Sequence, residues 1–144
     1  MGTPHRATPL AEDAVRHYEG GALASIEHTR HGRVRLVQYF DRAWPDEELP
    51  RRHRERYGDT AFEVLTAPRP VSGGAVRSVL RFDASGALVE VAELETDTCG
   101  QARAEVRRKS NGTLRERVEY VRDDAGALLR TRIIGPDGAL LREG

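Results

Sequence analysis

Glu90, Arg108, Glu116, Tyr120, Arg130 and Arg132 are the residues through which this sequence can do chemistry. A carboxylate drawn partly out of water becomes a usable general base or acid, and a phenol can donate a proton. Guanidinium groups grip a carboxylate, an enolate or a phosphate through two parallel hydrogen bonds. Glu116, Glu90 and Tyr120 as acid–base groups, with Arg108, Arg130 and Arg132 as a clamp, fit cofactor-free proton transfer. The reaction class is isomerisation or cyclisation of a small, anionic organic molecule. His28 joins them as a second general base if the first strand closes against the last ones. These residues are scattered over a hundred positions, so the elements that carry them must bring them together.

A series of glycines supplies those elements. Gly74, Gly86, Gly100, Gly112, Gly126 and Gly138 follow one another at intervals of 12, 14, 12, 14 and 12 residues. That period is too short for a helical unit and suits a strand of about eight residues plus a tight turn. In GPDG, Pro136 pre-sets φ for a type I turn, Asp137 tolerates the next position and Gly138 takes the left-handed conformation after it. A type I turn followed by such a glycine closes a hairpin with a bulge. DASG, KSNG and DDAG follow the same scheme.

The pattern predicts about ten antiparallel strands, near 22–30, 33–41, 47–55, 60–67, 75–83, 87–96, 101–109, 113–122, 127–135 and 139–143. The third is poor: WPDEELPRRHRER holds two prolines and many charges, so 41–57 is irregular and reads as an edge, a loop or a short helix. TPLAEDAVRHYEGG reads as a helix over 9–19, with Thr8 as cap, Pro9 in the first turn and Gly20 or Gly21 as its end. Residues 1–8 form a tail. One all-β domain is expected, an up-and-down meander curled into a barrel or half-barrel because a one-faced sheet of this length cannot stay flat.

Because every glycine of the series is even-numbered, the hairpins are expected to join even positions to even ones. Val76, Leu80, Phe82, Leu88, Leu94, Val106, Leu114, Val118, Leu128 and Ile134 would then face the core, and the odd positions, rich in Arg and Glu, would face water. Val89, Val91, Leu129 and Ile133 break the rule and mark a second packed surface or a homodimer contact. In this register Glu90 faces Arg108, Glu116 lies diagonal to Arg108 and Arg132, and Tyr120 faces Arg130. Opposite neighbours are about 5 Å apart and diagonal ones about 7 to 8 Å, which long side chains span.

Composition narrows the partners. With 23 basic and 23 acidic side chains the net charge is zero, so no global field attracts nucleic acid or an acidic membrane. RRHRER, the only dense basic run, has no interleaved aromatics to stack on bases, so no nucleic acid is expected. No apolar run is long enough to span a membrane, the N-terminus lacks a secretory apolar core, and a single cysteine excludes an internal disulfide; the expectation is a cytoplasmic protein. His28 and His31 point to opposite sides of a strand and no further ligand completes a set, so neither a metal nor another cofactor is expected. Cys99 has no basic neighbour to activate it.

FDASGAL at 82–88 resembles the YD unit of Rhs-type repeats, and 75–143 resembles the MORN-variant hairpin repeats of bacterial antitoxin-like proteins. The resemblance rests on the turn positions and on Phe82-Asp83. It implies a β-meander that wraps or neutralises another protein, and it carries over no catalytic residue. Three functions follow from the sequence. They are a barrel that binds or transforms a small molecule through the inner cluster, an interaction module of immunity or antitoxin type with a protein partner, and an assembling structural protein.

Overall fold

The computed structural model describes residues 12–144. Its elements in chain order are β1 (Glu12–Glu19), β2 (Ala22–Arg30), β3 (Arg33–Arg42), α1 (Leu49–Tyr57), β4 (Ala61–Thr66), β5 (Arg69–Val71), β6 (Gly74–Phe82), β7 (Leu88–Asp97), β8 (Ala102–Lys109), β9 (Leu114–Arg122), β10 (Leu128–Ile134) and β11 (Leu140–Glu143). The strands form one 11-stranded sheet, in the order β1-β2-β3-β4-β6-β7-β8-β9-β10-β11, with β5 paired to β6. All pairs are antiparallel except β3 with β4, which run parallel and are joined across α1. Among the described residues no ladder joins β1 to β11, so the all-β meander is open at these edges, as a half-barrel is and a closed barrel is not. Among the described residues no helix is long and apolar enough to cross a membrane.

The helix expected over 9–19 is a strand from residue 12 onward; residues 9–11 lie outside the described part. Gly20 and Gly21 both take positive φ, 59° and 83°, and Glu19 pairs with Ala22. Two consecutive left-handed residues make the two-residue hairpin turn whose twist matches that of paired strands. Gly-Gly therefore joins β1 to β2 instead of ending a helix. His31 and Gly32 repeat the device between β2 and β3, with φ 53° and 76°. The one helix among the described residues lies in the irregular segment. Asp46 accepts the backbone N–H groups of Glu48 and Leu49 at 3.0 and 3.2 Å, Pro50 sits in the first turn, and Gly58 at φ 68° ends it.

The glycine hairpins close as the turn chemistry predicts: the N–H of Gly86, Gly100, Gly112, Gly126 and Gly138 each donates to the carbonyl three residues earlier. The face assignment does not survive. Phe82 pairs with Leu88, but Arg81 pairs with Glu90, which leaves Val89 over as a bulge residue. Arg103, Arg115, Leu129 and Leu141 are left over in the same way, each three residues after its glycine. An extra residue in one strand reverses which parity points to which side. Even positions on one strand therefore share a face with odd positions on the next, and no single parity is the inside.

Two apolar clusters lie on the two faces. Val37, Tyr39, Phe62, Val64, Leu80 and Phe82 are buried with Leu49 of α1 on one face, where the Phe62 and Phe82 rings stack with centroids 4.4 Å apart. Leu65, Val79 and Ala92 are buried on the other, with Phe40 and Leu94 against them.

Candidate functional site

The bulges divide the cluster expected from the sequence. Glu90 pairs with Lys109, and Arg108 pairs with Val91, so Glu90 and Arg108 point to opposite faces. Glu90, Glu116, Tyr120 and His28 lie on the face away from α1; Arg108, Arg130 and Arg132 lie on the face that carries it. The guanidiniums that meet the first group are Arg81, Arg107 and Arg115. Arg81 donates to Glu63 at 3.0 Å, to Glu105 at 2.7 Å and to Glu90. Arg107 donates to Glu105 at 3.0 Å and Glu116 at 2.8 Å, and Arg115 to Glu90 at 3.3 Å. His28 reaches the same network, 2.6 Å from Gln38, whose amide donates to Glu63 at 2.9 Å. Tyr120 pairs across the ladder with Thr131.

This network is saturated. Burial works against ionisation of Glu105, yet hydrogen bonds and charge from Arg81, then Arg107, outweigh it and hold its carboxyl below the usual range. Burial likewise opposes the charge on Arg81, and Glu105, Glu90 and Glu63 reverse that. A carboxylate held ionised, as Glu105 is, is a poor proton acceptor, and Glu90 and Glu116 are already occupied by guanidiniums. Their effect is to fasten β4, β6, β7, β8 and β9 together. On the other face Arg130 and Arg132 are paired with Glu143 at 2.8 and 3.4 Å, and Arg132 also with Glu119 at 3.3 Å. Arg108 is exposed and among the described residues donates only to the Gly112 carbonyl, at 3.5 Å.

Uncommitted polar groups gather instead where α1 lies across the N-terminal strands. Leu49, His53 and Tyr57 are four residues apart and face the sheet together. His53 is 3% exposed. Its Nε2 lies 2.8 Å from the Thr60 carbonyl, which can only accept, so Nε2 carries the hydrogen and Nδ1 accepts from the Tyr39 hydroxyl at 2.6 Å. Burial lowers the His53 pKa, the Thr60 bond only partly opposing it, and the ring is neutral. Burial, then the nearby Tyr57, holds Tyr39 above the ordinary phenol range. Tyr57 donates to Glu27; burial first, then that carboxylate, pushes its pKa up to about 12. Glu27 also lies 2.9 Å from His17 Nε2, at an angle unfit for a hydrogen bond.

Between α1 and these strands is a cleft of about 280 Å³ lined by Ser25, Tyr39, Arg42, Arg52 and Arg56, with Glu19 as its one carboxylate. Arg42 reaches over the Tyr39 ring at 5.7 Å, and its Nε is buried without a hydrogen-bond partner. Arg52 and Arg56 have ion partners only at 3.8 Å, Asp46 and Glu27, too far for a hydrogen bond. On the other side of His53 a hollow of about 330 Å³ lies against Phe62 and the turn at 84–86. Its arginines, Arg51 and Arg54, are already paired with Glu48, Glu55 and Asp59. The cleft is the site with donors to spare.

Its sequence signal lies in LPRRHRERY. Leu49, His53 and Tyr57 mark the buried side of a helix, and Arg52 and Arg56 form the next row. Prolines and charge hide that periodicity in a segment otherwise read as irregular. Comparisons of this chain with family models, with curated proteins and with solved structures find no match.

Proposed function

We propose that the protein binds a small anionic organic molecule in the cleft between α1 and β1–β3. The observation that carries this reading is the convergence of Arg42, Arg52 and Arg56 on one cavity whose lining holds a single carboxylate, Glu19. Among the described residues Arg52 and Arg56 have no ion partner within hydrogen-bond distance, and a carboxylate or phosphate entering the cavity meets all three arginines. Tyr39 and His53 form the floor; both ring nitrogens of His53 are engaged, so the pair sets shape. Cys99, exposed and unpaired, fits a reducing cytoplasm.

The test is calorimetric titration at low ionic strength with inorganic phosphate and citrate, chloride serving as control. Micromolar to low-millimolar binding that Arg42→Gln weakens at least tenfold is expected. Binding of no anion above the chloride background, or an Arg42→Gln protein that binds as before, overturns the reading.

A protein-interaction module is the second reading. Leu128, Leu129, Leu140 and Leu141 are 48 to 62% exposed along the β10–β11 edge, and two of them are bulge residues. Light scattering across a dilution series tests it: a species that stays monomeric and returns no stoichiometric partner on co-purification removes it.

A further inference from the structure

A second basic cavity adjoins the cleft. Its volume is about 510 Å³, and it is lined by Arg33, Val34, Arg35, Arg56, Tyr57, Asp59 and Thr60. Arg56 and Tyr57 line both cavities and form the ridge between them. The Arg56 guanidinium rests over the Tyr57 ring at 5.3 Å, and its only ion partner among the described residues is Glu27 at 3.8 Å. Either side of the ridge can thus draw on one cation that remains available.

Arg33 and Arg35 are placed by the chain beneath them. Arg33 opens β3 directly after the His31-Gly32 turn. Thr29 pairs with Val34 and His28 with Leu36, so Arg35 is the extra residue of a bulge, a device that re-aims a side chain. Both are exposed, and neither has an ion-pair partner among the described residues. The one carboxylate lining this cavity, Asp59, is engaged by Arg54 at 3.0 Å. Five arginines line the two cavities against two lining carboxylates, Glu19 and Asp59, with Glu27 3.8 Å from Arg56 and Asp46 3.8 Å from Arg52, in a chain whose net charge is zero. So local an excess of positive charge on adjoining concave surfaces is matched by an elongated anion, not by a single ion.

We infer that the ligand carries two anionic groups joined by a short spacer, one held by Arg42 and Arg52 in the cleft and the other by Arg33 and Arg35 beyond the ridge, with Arg56 and Tyr57 against the spacer. The inference rests on the cleft being an anion site. The class is an organic bis-anion, a bisphosphate or a dicarboxylate. The two hollows together fall in the size range of ordinary small-molecule sites. Joining two anions makes the second contact intramolecular, and the gain peaks when the spacer matches the span.

Titration of the folded protein with inorganic phosphate, with alkane-α,ω-bisphosphonates of increasing length and with the matching dicarboxylates tests this. An optimum spacer length, at which the bis-anion binds at least tenfold tighter than phosphate, is expected, and the better series identifies the anionic group. In Arg33→Ala/Arg35→Ala that optimum disappears. An affinity that follows ligand charge alone with no optimum, or an optimum that the double variant keeps, overturns the inference and leaves the cleft reading standing. Failure of phosphate and of every bis-anion to bind overturns both.

Discussion

Tyr39 and His53 are joined by a 2.6 Å hydrogen bond between a strand and the helix laid across it, with the imidazole accepting through Nδ1. Both residues are buried, so neither can exchange this partner for water. Tyr39→Phe keeps the ring and removes the donor, leaving Nδ1 without a partner. A loss of about 1–3 kcal/mol in urea unfolding is expected. A loss within a few tenths would mean that water reaches Nδ1.

The same pair predicts a pH dependence. Burial lowers the pKa of His53 in the folded protein below the ordinary value near 6.5. Below that value the unfolded chain takes up a proton that the folded one refuses. The stability contributed by neutral His53 is therefore complete above about pH 6.5 and declines as pH falls toward the lowered folded pKa. The gap in unfolding free energy between the native protein and His53→Gln should narrow between pH 8 and 5. A gap that widens on acidification contradicts a buried neutral imidazole.

Arg81 is the sole guanidinium shared by Glu63, Glu90 and Glu105. The Glu105 side chain is 6% exposed and that of Arg81 26%. Removing a cation from beneath nearly buried carboxylates leaves charge that water cannot fully screen. Arg81→Met should cost about 3 kcal/mol or more. The deficit should shrink at acid pH, because Glu105, left with Arg107 alone, takes up a proton more readily than Glu105 of the native protein, which Arg81 helps to hold ionised. A deficit independent of pH would assign the loss to packing.

Gly74 and Gly86 separate two reasons for glycine. A Cβ on Gly74 would lie 1.8 Å from the Thr96 carbonyl oxygen, whereas one on Gly86, at φ 89°, meets nothing within 4 Å. Gly86→Ala pays only for its left-handed backbone, about 1–2 kcal/mol. Gly74→Ala must also push β6 away from β7, and a loss well above that is expected in thermal unfolding. Equal losses would mean that the two strands separate easily at that point.

The hairpins were legible because turn chemistry is local: a glycine that ends a turn begun three residues earlier by Asp83, Asp97, Lys109, Asp123 or Gly135 states its own conformation. The strands from 75 onward follow from those turns. The bulges left no such mark, since Val89, Arg103, Arg115, Leu129 and Leu141 share a position but are of three different residue types. One uncounted residue reverses a face, which is why Glu90, Glu116, Tyr120 and His28 lie on one face of the sheet while Arg108, Arg130 and Arg132 lie on the other. The arginines that do meet the glutamates are odd-numbered. Gly20-Gly21 misleads for a related reason, because two glycines end a helix or turn a hairpin equally well. The cleft depends on contacts such as Tyr57 with Glu27, 30 residues apart, and no local pattern announces those.

The bulges themselves yield the sharpest test of the register. Removing a left-over residue leaves every other pair in place: without Leu129, Leu128 still faces Arg122 and Arg130 still faces Val121. The side chains keep their faces, because Leu128 and Arg130 become adjacent and alternate as strand neighbours do. Deletion of Leu129, which is 58% exposed, should cost about 1 kcal/mol, the size of an ordinary substitution. Deleting Val118, 2% exposed in the middle of β9, forces every following residue of that strand onto the wrong side or out of its pairing. That protein should lose more than about 4 kcal/mol or fail to fold. Circular dichroism and thermal melts of the two deletions, side by side, decide the matter. If loss of Leu129 is as damaging as loss of Val118, the strand is regular there and the division of charged residues between the two faces is wrong.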